Sequence, residues 1–347
     1  MQPIHCKFYR KMTESRLFPS SLLIFFCLTL LACSTKFNVN APYKEENSII
    51  GLLELHNTYQ IIKIQKVFQN GAGVTASQAG LTMDSLYQVD SLDVRLSEYN
   101  QNGNQTNQVH LRKYYNTQKP SGIFASPGQY LYITPTGFVL NGNDNYVLTI
   151  YNPKTKITSQ ATTTVVNDIS PRYPNTGAEI NLSTDQQNYY PITFGVGNNA
   201  ATYDVNINIP VRNYRKKDSS LISVDTLVYN VLKSYPISGP MIDNALKGYS
   251  FYYFVGGSLT PDKTVYRKMD SLDFEITGAA GDLANYVLVN TPTSGIVQNI
   301  PSYTNISNGV GIFSSRNITH IHAPLSTGAY ATLITSPLTS ALNFVRP

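Results

Sequence analysis

Short runs in which apolar and polar residues alternate recur along most of the chain. In TYQIIKIQKVF, Tyr59, Ile61, Lys63, Gln65 and Val67 alternate with Gln60, Ile62, Ile64, Lys66 and Phe68. A period of two predicts a strand with one face turned to a core. The run NSIIGLLEL precedes it, and His56-Asn57 between the two predicts a hairpin. LDVRLSEY, NQVHLRKYY, QYLYIT, YVLTIYN and TSQATTTVV continue the pattern, with turn clusters NQNGNQ, NGND and NPKT between them. About seven strands in roughly 120 residues predict an immunoglobulin-like β-sandwich, placed at residues 47–168. GAGVTASQAGLTMDS, 71–85, is the one early stretch with the makings of a short helix.

DISPRYPNTGAE, 168–179, has two prolines, a glycine and no apolar period, and a domain boundary is expected there. The second domain, 177–347, is again expected to be β-rich. Its strand runs are YYPITFGV, TYDVNINIPVRNY, LISVDTLVYNVL, YSFYYFVGG, LDFEITG and YVLVN. One or two short helices are expected, from PMIDNALKGY, AAGDLANY and SPLTSALNF. The fold class is therefore all-β, a sandwich followed by a second β-rich domain.

Residues 22–32, LLIFFCLTLLA, are apolar or small except for Thr29. A bilayer-spanning helix needs about 20 apolar residues, so this run is too short to span. It suits the core of a secretory signal over residues 1–32, preceded by Lys7, Arg10, Lys11 and Arg16. Met12 offers a second start, which leaves Arg16 as the only basic side chain ahead of the core. The run ends Leu30-Leu31-Ala32-Cys33, and a small residue followed by cysteine resembles the bacterial lipobox. By that resemblance Cys33 is the lipidation site: its thiol takes a thioether-linked diacylglycerol and becomes residue one. Residues 33–46 then form a lipidated cysteine and tether. Cys6 and Cys27 lie in the removed leader, so the mature chain has no disulfide and depends on its apolar core.

The formal charge is +5, of which +3 sits in residues 1–32, leaving +2 for the rest. That balance gives no reason to expect nucleic acid as a partner. The chain lacks tryptophan but has 25 tyrosines, a composition suited to β-structure with polar turns.

Candidate chemistry concentrates in NGVGIFSSRNITHIH, 308–322. His320 and His322 share a strand face and could hold zinc or copper, but no third ligand is evident nearby in sequence. Ser314 and Ser315 could be nucleophiles with His320 as base, although the Gly-x-Ser-x-Gly elbow is absent. The prevailing expectation is plainer: Asn308-Gly309 turns the chain into a strand, Ile312 or Phe313 packs inward, Gly311 permits a bulge, and Arg316 orders a loop at the sheet edge. The Gly-x-Gly patterns at 71, 195 and 309 lack a strand–turn–helix context and are expected to be turns, not nucleotide sites. NGND at 141–144 is expected to be a hairpin turn rather than a calcium loop. Asp270, Asp273 and Glu275 are expected on an exposed strand face, and Arg212, Arg215, Lys216 and Lys217 at a solvated hairpin tip. Tyr189, Tyr190, Tyr252 and Tyr253, with Tyr249 and Phe251 beside them, are expected first as β-sheet core and cross-strand pairs; they are also candidate ligand contacts, since an aromatic ring can cover the C–H face of a sugar. Arg316 joins them as a ligand-binding candidate. No cofactor is expected.

The order of features resembles Bacteroidota outer-membrane lipoproteins carrying domain of unknown function 4249. The resemblance rests on the lipobox, IIGLLEL, QIIKIQKVF, DSLY at 84–87 and YTNISNGVGIFSSR at 303–316. It implies an outer-membrane lipid anchor and a place beside a TonB-dependent receptor. It brings no catalytic residues. The leading expectation is a non-enzymatic envelope module that binds a partner protein or a glycan. The alternatives are a hydrolase or metal-dependent enzyme sited on the second domain, and a structural or assembly subunit.

Overall fold

A computed structural model describes residues 46–67, 87, 92–118, 128–291 and 302–346. The expected leader, Cys33, nearly all of the tether and the 71–85 stretch lie outside the described residues. The first hairpin forms as expected from β1 (Glu46–Leu53) and β2 (Ile61–Val67). Their register is antiparallel, with Ile49 opposite Ile64. Next come β3 (Asp93–Tyr99), β4 (Gln105–His110), β5 (Arg112–Asn116), β6 (Gln129–Ile133), β7 (Asn145–Tyr151) and β8 (Thr158–Thr164). Each falls on a run with period two. In β7, for instance, Tyr146, Leu148 and Ile150 point inward and are buried.

The second half holds β9 (Ser170–Tyr173), β10 (Tyr189–Gly195), β11 (Thr202–Arg215), β12 (Leu221–Pro236) and β13 (Met241–Lys247). After these come α1 (Gly248–Ser258), β14 (Val265–Met269), β15 (Leu272–Ala279), α2 (Gly281–Asn290), β16 (Gly309–Ala323) and α3 (Thr327–Thr335), with a 3-10 turn at Ser340–Leu342. Strand occupies 51% and helix 13%, an all-β protein with three short helices among the described residues. β11 shows why the pattern was legible: Tyr203, Val205, Ile207, Ile209 and Val211 alternate along it and all are fully buried.

Four local expectations are corrected. PMIDNALKGY is strand β13, with Ile242 and Leu246 turned to the core. YSFYYFVGG is helix α1, not a strand. Its buried residues Gly248, Phe251, Tyr252 and Val255 are spaced 3, 1 and 3 apart, the stripe of a helix. Aromatic and β-branched composition suggested a strand, but the spacing of buried positions decided otherwise. YVLVN closes α2, and α3 arises from STGAYATLIT, where Ser326 caps the helix by accepting the Ala329 N–H at 3.2 Å. SPLTSALNF contributes only the 3-10 turn.

The strands assemble into a nine-stranded sheet in the order β12-β11-β15-β16-β1-β2-β6-β5, with β14 also on β11. A four-stranded sheet, β4-β3-β7-β8, faces its β1-β2-β6 end, and a three-stranded sheet, β13-β10-β9, serves the other end with α1 and α3. Two hydrophobic cores result. The first joins Ile49, Ile62, Leu96, Tyr146 and Leu148 to Ile306 and Phe313. The second joins Ile169, Phe194, Tyr203, Phe251, Tyr252, Phe274, Ile321 and Leu333. The two cores change over near the expected boundary, yet strands from both sides of it share one sheet, and all described residues belong to one compact unit, Glu45–Pro347.

Strand β16 connects the two ends. Residues 309–315 run parallel to β1, and residues 316–323 run antiparallel to β15. Asn308 makes the expected turn at φ 50, and both Ile312 and Phe313 are buried. Gly311 has φ +111, and a Cβ there would lie 2.0 Å from the Ile49 carbonyl oxygen. Its lack of a side chain thus permits close backbone approach, while the pairing with β1 runs through it without the expected bulge. The flank of β16 away from β1 is satisfied by side chains. The Asn305 carboxamide donates to Phe313 O at 2.7 Å and accepts from Phe313 N at 3.0 Å.

Gly311→Ala is expected to cost about 2–5 kcal/mol, from left-handed backbone strain and a clash in a packed layer. Gly239→Ala, where the added Cβ meets nothing within 4 Å, should stay within about 0.5 kcal/mol. Urea unfolding midpoints compare the two.

Buried tyrosines give the fold a pH signature. Burial raises the phenols of Tyr132, Tyr146, Tyr203 and Tyr252, and takes Tyr330 up to about 12. The unfolded chain loses these protons near pH 10, whereas the folded chain keeps them, so stability is full below about pH 10 and falls as pH rises toward 12. Tyrosinate absorbance and circular dichroism, followed together on alkaline titration, should show a class of tyrosines that ionises only as the fold is lost. Complete ionisation with the strand signal intact would contradict this.

Candidate ligand-binding cleft

Helix α1 lies against strand β12 on the core face of the large sheet. Its outward side and Tyr229 of β12 enclose a cleft of about 510 Å³, lined by Tyr229, Tyr249, Ser250, Tyr253, Phe254 and Ser258. The helix period arranges this set. Tyr249 and Tyr253 are four apart and stack with ring centroids 6.3 Å apart and planes 14° from parallel. Phe254 tilts against Tyr229 at 5.0 Å. Tyr253 is 65% exposed, so the wall is open to a ligand. Burial raises the Tyr229 phenol, offset in part by its bond with Ser250. The lining is flat rings and hydroxyls, with no carboxylate, imidazole or amine. Such a surface can cover an apolar face and hydrogen-bond its rim, and it holds no group suited to move a proton near neutral pH.

Of the sequence candidates, the cleft takes Tyr253. Tyr252 points the other way and is fully buried, its hydroxyl donating to the carbonyls of Leu182 (3.0 Å) and Ala329 (2.9 Å). Tyr189 is exposed on β10, under the Lys247 ammonium at 5.6 Å. Tyr190 is half-buried and packs on the second core. Neither lines the cleft. Arg316 sits where β16 passes from β1 to β15, and its guanidinium binds Glu54 of the β1–β2 turn at 2.7 Å. It therefore orders a loop as expected, from inside the sheet. Tyr229 and Phe254 went unnoticed in the sequence, because only the packing of α1 on β12 makes them neighbours.

The polar candidates gather on the opposite face of the same sheet. Register sets His322 opposite Asp273 and His320 opposite Glu275. His320 Nδ1 lies 3.1 Å from both Asp273 oxygens, and His322 Nδ1 lies 3.7 Å from Oδ1. Asn208 donates to Asp273 at 3.2 Å and to Glu275 at 3.4 Å. The acid that the sequence did not place near the histidines comes from the neighbouring strand. Among the described residues, however, no group of three or more His, Cys, Asp and Glu side chains is arranged to hold a metal ion.

The serines are not placed for catalysis. Ser314 and Ser315 are fully buried, and their hydroxyls accept the backbone N–H of Leu283 (3.1 Å) and Val166 (3.0 Å). His320, five residues further along the strand, lies roughly 17 Å from Ser315 and is engaged with Asp273. Elsewhere, NGND closes a turn through Asn141 and Asp144. Arg215, Lys216 and Lys217 sit at the β11–β12 tip as expected, with Arg215 on Asp218 at 3.5 Å, whereas Arg212 lies within β11, between Val224 and Lys268, and binds Asp270 at 2.6 Å.

Fold and site together define an all-β, sandwich-like protein with an aromatic cleft at one sheet margin. No protein-family model and no curated protein sequence matches the chain. Among the described residues, no helix is long and apolar enough to cross a membrane.

The two adjacent tyrosines should separate cleanly. Tyr252→Ala removes a core ring and is expected to cost about 3–5 kcal/mol. Tyr253→Ala should change stability by less than about 0.5 kcal/mol. Chemical denaturation of the two variants measures both.

Proposed function

We propose that this chain is a non-enzymatic binding module of the cell envelope, anchored to the outer membrane through lipid on Cys33 and taking a glycan at the tyrosine cleft. The observation that carries the reading is the make-up of the cleft: stacked, exposed Tyr249 and Tyr253, with Ser250 and Ser258 also in its lining. A pyranose has one face rich in C–H and a girdle of hydroxyls, so rings and hydroxyls complement it without any charge. The separation of the imidazoles and carboxylates from the cleft, by the thickness of the sheet, favours binding over turnover. The lipobox-like Leu30-Leu31-Ala32-Cys33 supports the anchor. The resemblance to lipoproteins with domain of unknown function 4249 supports a place beside a TonB-dependent receptor, to which a captured glycan would be passed.

Calorimetric titration of detergent-extracted protein with a panel of neutral oligosaccharides tests this. At least one is expected to bind, and Tyr249→Ala/Tyr253→Ala should weaken it by about tenfold or more, a loss of about 1.4 kcal/mol. In the same preparation Cys33→Ser should move the protein to the soluble fraction. Unchanged affinity in the double variant, or turnover of a chromogenic ester or glycoside, would overturn the reading.

A further inference from the structure

Among the described residues, strand β12 ends the nine-stranded sheet, with β11 as its one paired neighbour. Which of its backbone groups face outward follows from Pro210. Pro210 has no N–H, and its carbonyl accepts from Asp270 N at 3.1 Å, on the side of β11 away from β12. A strand residue turns its N–H and C=O to the same side, alternating along the chain. Thr226, opposite Pro210, therefore turns its N–H and C=O to the free edge. The register is unbroken from Ser223 to Asn230 and shifts beyond both ends. So Val224, Thr226, Val228 and Asn230 present a regular outward ladder, bounded by irregular backbone on either side.

None of these four is charged, and Val224 and Val228 are 53% and 46% exposed. Proteins commonly protect a free edge with lysine, proline or short length, and this stretch has none of those on its outward positions. The four positions are also symmetric about Leu227. Paired antiparallel with a copy of itself, Val224 meets Asn230 of the second copy and Thr226 meets Val228, giving about eight backbone hydrogen bonds. Leu227 meets Leu227 in the closely spaced, non-hydrogen-bonded position. Asp225 falls opposite the Tyr229 hydroxyl side of the second copy, away from its own counterpart. A shift of one residue toward the start of the strand would set the two Asp225 side chains diagonal to each other, where like charges repel.

We propose that β12 is the seam of a two-fold dimer, in which two copies of this chain join their large sheets edge to edge with Leu227 on the axis. The seam is roughly 27 Å long and small beside interfaces of permanent dimers, so association depends on concentration and is promoted by confinement to a membrane surface. It places both clefts on one face of the joined sheet, with the Tyr229 side chains about 14 Å apart along the seam. The dimer does not depend on what the cleft binds.

Cysteine cross-linking of the full chain in detergent tests the register. Leu227→Cys should oxidise to a covalent dimer, since Cα atoms about 4.5 Å apart suit a disulfide. Thr226→Cys alone should give no more dimer than the unsubstituted chain, whereas Thr226→Cys with Val228→Cys should. Sedimentation supplies the second measurement. Thr226→Lys/Val228→Lys sets lysines face to face and should weaken association by about tenfold or more. Thr226→Lys/Val228→Glu should restore it. Both positions are exposed, so circular dichroism should not change. A monomer at every concentration, Leu227→Cys cross-linking no better than Thr226→Cys, or equal association in the two charge variants would each overturn the proposal.

Discussion

The parallel contact between β1 and β16 is the constraint on which the rest depends. It pairs residues 47–53 with residues 309–315, so the first described strand is completed by the last one. The first core needs Phe313 and Ile306, and the second core needs Ile321 and Ala323 of the same strand. A single strand of 15 residues thus contributes side chains to both cores and joins their strands in one sheet. Gly311 allows the backbones to approach there, and Asn305 takes the backbone hydrogen bonds that a further strand would otherwise make.

The alternation of the large sheet also decides where chemistry can occur. Along β15, Leu272, Phe274 and Ile276 fill the second core while Asp273 and Glu275 face out. Neighbouring strands follow suit, so histidines, carboxylates and asparagines form a polar ladder on one face and aromatic rings gather on the other. The cleft is built where the aromatic face reaches the sheet margin and α1 covers it. A site that combined rings with acid and base groups would need both faces at one place, and the intact sheet keeps them apart.

Much of the fold was legible because period two is a strong signal where one face is buried. β3, β7, β8, β11 and β15 each lie where the alternation indicated, and AAGDLANY contains the start of α2. The failures lie where local composition does not mark the faces. In YSFYYFVGG nearly every residue is aromatic, β-branched or glycine, so polarity does not mark the faces, and propensity favoured strand where helical packing prevailed. PMIDNALKGY erred in the opposite sense. Of the site, Tyr253 was visible only as one of a cluster of aromatic candidates, and its neighbour Tyr252 was not distinguishable from it. Adjacent residues on a helix differ by 100° in direction, and only the position of the core says which one faces it.

Sequence alone determined the all-β class, the places of most strands and turns, the cysteine-free body beyond Cys33 and its richness in tyrosine, since each follows from local period or composition. Tertiary structure alone decided that residues 47–53 and 309–315 lie side by side, that Asp273 stands between two histidines, and that Tyr229 meets Phe254. These pairings join positions 25 to more than 250 residues apart. Register and packing between distant segments, which no local pattern encodes, brought them together.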